Sequence, residues 1–112
     1  MSASVVAAAL GEAAVLVTAA GGDPIESVLC RVRAAASDAS ESILLIIEPG
    51  VAAIDRAMLH GALGPLATEL APGSRINALD VMAGAAADNV IAAASFLATA
   101  CSTTGQVIVL DA

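Results

Sequence analysis

Apolar residues follow two alternating rhythms along this chain. The stretches "AAVLVTAA" (13–20), "SILLII" (42–47), "RINALDV" (75–81) and "QVIVLD" (106–111) are short and apolar-rich, as strands buried on both faces are. Between them, apolar positions recur at helical spacing. An Ala-rich helix is expected over 3–10, closed by Gly11. A second covers 23–38, with Ile25, Val28, Leu29 and Val32 on one stripe; Asp23 is its expected cap, Pro24 its first helical residue and Glu26 the carboxylate that reaches back. A third spans 51–71 and carries Ile54, Met58, Leu59, Leu63, Leu66 and Leu70, with a kink expected near Gly61, Gly64 and Pro65 and an end at Ala71-Pro72-Gly73. The fourth, 85–100, places Val90, Ile91, Ala94, Leu97 and Ala98 on one side.

The order is (α)βαβαβαβ. Strands alternating with helices predict an α/β fold in which helices cover a parallel sheet of roughly four strands, side by side in sequence order. With 112 residues and no linker or fixed-period repeat, one domain over 1–112 is expected.

Composition sharpens this picture in two ways. Hydrophobic residues make up 59% of the chain, more than a small monomer readily covers, so a partner is expected. The net charge of -7, with no basic cluster and aromatics at 1%, argues against nucleic acid, where affinity rests on neutralising phosphates and stacking bases. The apolar stretches near 3–20 and 89–101 are interrupted by Glu12 or are too short and Ser/Thr-studded for a membrane span, and no positive region opens a secretory signal. Cys30 and Cys101 lack a CxxC or metal spacing and read as buried small hydrophobes in a reducing compartment, so a cytoplasmic location is expected.

Three stretches carry a family resemblance. "AALGEAAVLVTAAGG" (8–22) resembles the central segment of the short-chain dehydrogenase/reductases, where a strand ends in an Asn-Asn-Ala-Gly turn; here the turn is Thr18-Ala19-Ala20-Gly21. "RAMLHGALGPLATELAPGSRINAL" (56–79) resembles the helix with the family's catalytic lysine and the strand after it, and "ASFLATACSTTGQVIVLDA" (94–112) resembles the last helix and strand. The matches occur in the family's order. They imply a truncated Rossmann-like three-layer fold corresponding to the family's second half, without the glycine-rich turn that receives a dinucleotide pyrophosphate. Reading "VTAAGGDP" as that turn fails, because Ala19, Asp23 and Ile25 stand where glycines are needed and Asp23 repels phosphate.

The resemblance also implies lost chemistry. The family's tyrosine exchanges a proton with substrate, helped by a lysine four residues later; here Ala52 and Arg56 take those places, and the chain has no tyrosine. "LLIIEPG" offers Glu48 and Pro49 where the family's serine is expected, and the substrate-covering segment is reduced to "DVMAGAAADN". The expected catalytic, cofactor-binding and metal sets are therefore empty for this chain alone, with NAD(P) left to a partner. Arg56 reads as a solvated or ion-paired surface residue, His60 as structural, and Glu48, Asp55, Asp80 and Asp88 as caps rather than acid–base or metal pairs; Asp111 resembles a structural terminal aspartate.

What the resemblance retains is assembly. In the family, helices corresponding to 23–38 and 51–71 pack against a neighbouring subunit, so Val28, Val32, Met58, Leu59, Leu63 and Leu66 are the expected interface. The leading expectation is a non-catalytic subunit, a pseudoenzyme that joins with itself or with a full-length active paralogue. One alternative is an oxidoreductase component whose cofactor half comes from another chain. Another is a homodimer that binds a small molecule in a cleft at the strand ends around Gly21, Gly22, Glu48 and Asp80.

Overall fold

The computed structural model describes residues 3–37 and 42–111, with side chains from Val6 onward. Its elements run α1 (Ala3–Leu10), β1 (Val15–Ala19), α2 (Ile25–Ser37), β2 (Ser42–Ile47), α3 (Ala53–Leu70), β3 (Arg75–Val81), α4 (Ala87–Thr99) and β4 (Val107–Leu110). The four strands form one parallel sheet in the order β1-β2-β3-β4, as the alternation predicts. Position 38, the expected last residue of α2, lies outside the described residues.

The period of two along each strand divides the core. Ile43, Leu45 and Ile47 of β2 point to one face and pack under α2 and α3; Leu44 and Ile46 point to the other, under α1 and α4. Every residue of β2 is buried, which is why its sequence is apolar without alternation. The two-sided demand for cover fixes which stripe each helix turns inward.

That demand corrects the expected interface. Val28 and Val32 of α2 are fully buried, and Leu59, Leu63 and Leu66 of α3 are at most 4% exposed, all within the chain's own core. A stripe facing the sheet cannot also face a neighbour. Only Met58 of the six is exposed, at 50%, beside Ile54 at 70% on the outer side of α3.

Cys30 and Cys101, expected as buried, are both exposed, and the cap of α2 changes as well. Asp23 does not cap α2: the Pro24 carbonyl accepts the Ser27 and Val28 N–H groups at 3.0 and 3.2 Å, so Pro24 is the cap residue. Gly22, with φ of 89°, turns the chain so that the Asp23 carboxylate reaches back to the Ala20 N–H at 2.9 Å. Helix α3 runs unbroken from Ala53 to Leu70 through Gly61, Gly64 and Pro65. Pro65 and Gly61 lie on the solvent side, where water reaches the carbonyl that loses its helical donor.

Side chains fasten the remaining joints. Arg33 of α2 holds Glu69 of α3 in a two-pronged bond at 2.7 and 3.1 Å, which keeps that carboxyl below the usual carboxylate range. Buried Asn77 of β3 donates to the Thr103 carbonyl and accepts the Gln106 N–H, at 3.0 and 3.1 Å, so the chain enters β4 in register. Among the described residues no helix is long and apolar enough to cross a membrane.

Candidate functional site

The carboxyl ends of β2 and β3 meet the start of α3, and three ionisable side chains converge there. Asp80 has the same strand parity as Ile76 and Ala78, so its carboxylate points toward α3. Arg56 and His60 stand four residues apart on α3, one turn above the other. Both reach Asp80: Arg56 Nη1 donates to Oδ1, and His60 Nε2 lies 2.7 Å from Oδ2. An ionised carboxylate only accepts, so Nε2 carries the proton and donates.

Arg56 has further partners. Its Nη2 donates to the carbonyls of Glu48, Pro49 and Val51, at 2.8, 3.3 and 3.2 Å. One guanidinium thereby ties the loop that leaves β2 to the end of β3. The ion pair is removed from water, with the Arg56 and Asp80 side chains 11% and 4% exposed. This corrects the expected surface role for Arg56. Asp80 and three loop carbonyls surround the helix's first turn, and a charge in that setting is stable only when it stays within reach of them.

The arrangement also removes Asp80 from the proposed cleft, because α3 covers it and its acceptors are occupied. Gly21 and Gly22 are exposed in the turn after β1, and Glu48 is partly buried after β2. Gly21 rests on Gly50 so closely that a Cβ there would stand 2.7 Å from the Gly50 carbonyl oxygen. The first two strand-to-helix turns are thus in backbone contact. Surface cavities of about 410, 600 and 430 Å³ lie away from this point, beside β4, at the far ends of α2 and α3, and along β1.

A dinucleotide would need an open turn with free N–H groups directed at its phosphates. The turn after β1 does not fit: Gly50 fills its inner side, and the Asp23 carboxylate already takes the Ala20 N–H and pairs with Arg31 at 3.2 Å. Ala52, the cap residue of α3, offers no hydroxyl and makes no side-chain cap bond. Asp55 and Asp88 sit in the first turns of α3 and α4, where negative charge suits the helix dipole. Among the described residues no group of three His, Cys, Asp or Glu is placed to hold a metal.

The chemistry left is that of an oriented imidazole. His60 is 35% exposed at the side chain, and its ring is fixed by Asp80 through Nε2. From the amino-acid pattern alone His60 reads as structural and Asp80 as a cap, with nothing joining the two. Two signals were present in the pattern: the parity of Asp80 on β3 and the four-residue spacing of Arg56 and His60.

Among families of known proteins, the model for "SDR-like: Short chain dehydrogenase-like protein" matches residues 6–110. No curated protein and no solved structure matches the chain.

Proposed function

Because the chain belongs to the short chain dehydrogenase-like family over residues 6–110, we propose that it is a non-catalytic member of it, one that assembles with itself or with an active paralogue and stabilises the complex. One observation carries this reading: the residue in the lysine's place is a buried brace. Arg56 bonds to Asp80 and to three carbonyls of its own loop, so it has no free role beside a reacting group. Ala52, in the tyrosine's place, has no proton to give.

Assembly would use the outer side of α3. Ile54 and Met58 are exposed there at 70% and 50%, and Ala57 and Gly61 lie between and beyond them, small enough for another helix to approach. Burying two large apolar side chains contributes about 1.5–3 kcal/mol each. That is a useful share of the free energy of a modest interface, and it replaces the inward-facing residues expected from sequence. NAD(P) and the proton donor would then reside in the paralogue when the assembly is mixed.

An NAD(P)H oxidation and NAD(P) reduction assay with aldehydes, ketones and alcohols tests the reading. The chain alone is expected to give no turnover, and His60→Ala to change nothing in that assay. Turnover that disappears in a folded His60→Ala variant would overturn the proposal and make the His60–Asp80 couple catalytic.

A further inference from the structure

Among the described residues β1 hydrogen-bonds to β2 alone, which leaves its other side as a sheet edge. The Ala19 carbonyl accepts the Glu48 N–H at 2.9 Å, so the main-chain groups of residues 19 and 17 face β2. By the strand's period of two, those of Leu16 and Thr18 face outward. The edge sequence Val15-Leu16-Val17-Thr18-Ala19 has no charge and no proline, and Val15 is 40% exposed. Such an edge is a template for another strand.

One side chain crosses it. Arg31 of α2 donates from Nη1 to the outward Thr18 carbonyl at 2.8 Å. Its Nη2 donates to the Asp23 carboxylate at 3.2 Å, and Asp23 is itself anchored on the Ala20 N–H at 2.9 Å. The guanidinium thus lies across the end of β1, at the wall of the groove of about 430 Å³ between β1 and α2. We propose that Arg31 seals the β1 edge against strand addition by a second copy of this chain, with Asp23 as its anchor.

Physical chemistry favours a seal over a contribution to stability. An exposed ion pair holds weakly, and Arg31 and Asp23 are 46% and 36% exposed at their side chains. A cation lying over an edge acts differently: an incoming strand must displace it from the Thr18 carbonyl and leave its charge facing an apolar partner. A second copy is the fitting occupant because the bare edge is self-complementary. Antiparallel pairing of β1 with its own copy about a two-fold axis closes the edge on both sides, whereas a parallel extension would not close.

The test compares wild type with Arg31→Ala by light scattering over a concentration series and by hydrogen exchange at the Leu16 and Thr18 amides. Arg31→Ala is expected to double the mass relative to wild type and to slow exchange at both amides. Adding Val15→Lys, a charge on the same edge, is expected to restore the wild-type mass and fast exchange. If Arg31→Ala does not fold, Asp23→Asn releases the guanidinium while keeping an oxygen for the Ala20 N–H, and carries the same expectation. An unchanged mass, or a higher mass with fast-exchanging Leu16 and Thr18 amides, would overturn the proposal.

Discussion

Replacing Asp80 by alanine is expected to lower unfolding stability by about 3–5 kcal/mol, because it leaves the Arg56 cation buried without its carboxylate. Urea unfolding at one fixed protein concentration measures this as a lower midpoint with an unchanged slope. The arrangement makes two sharper statements. His60→Ala removes one bond from a half-exposed ring and is expected to cost only about 0.5–1.5 kcal/mol. Replacing Arg56 and Asp80 together by methionine and leucine removes the charges as a pair and is expected to recover much of the loss, though the carbonyls of Glu48, Pro49 and Val51 then lose their common donor. If Asp80→Ala unfolds at the wild-type midpoint, the brace has no part in holding the fold.

The other large effect is expected at Leu63. Its side chain is 1% exposed between α3 and the sheet, so Leu63→Ala removes atoms from a packed layer and should cost about 2–5 kcal/mol. The loss should leave the assembly state of the folded fraction unchanged. Substitution on the outer side of α3 predicts the opposite pattern, little change in the fold and a change in assembly. Leu63→Ala that kept wild-type stability but changed the mass would restore the interface first expected for this helix.

Much of the architecture was legible in the amino-acid pattern because the physical cause was local. "SILLII" reads as a strand covered on both faces, and it is one. Alternating elements imply a parallel sheet in sequence order, and the sheet has that order. The misreadings arose where neighbours distant in sequence decide. Nothing in "IDRAMLHGALG" (54–64) says whether Leu59 and Leu63 or Ile54 and Met58 face the sheet; the apolar stripe is broad enough for either, and the sheet's own need for cover settles it. At Asp23 a good capping pattern lost to a nearer donor, because the turn at Gly22 presents the Ala20 N–H first.

The candidate site shows the same boundary. Ala52 and Arg56 could be placed from the chain alone, and so could the absence of tyrosine from it. That Arg56 turns inward could not, since its partners Asp80 and Glu48 lie 24 and 8 residues away and meet it only when β2, β3 and α3 assemble. A charged residue early in an amphipathic helix ordinarily reads as solvated. The information that reversed it was the parity of Asp80, which has meaning only once the sheet is known to be covered by α3 on that face.

Assembly through the outer side of α3 is the role proposed for this chain. Its most direct test is the mass in solution, by size exclusion with light scattering, of the chain alone and mixed with an active family member, for wild type and for Ile54→Glu combined with Met58→Glu. A complex larger than one chain is expected for wild type in at least one setting, and a folded monomer in both for the double variant. A wild-type chain that stays monomeric in both settings, or a double variant that keeps the wild-type mass, would contradict it.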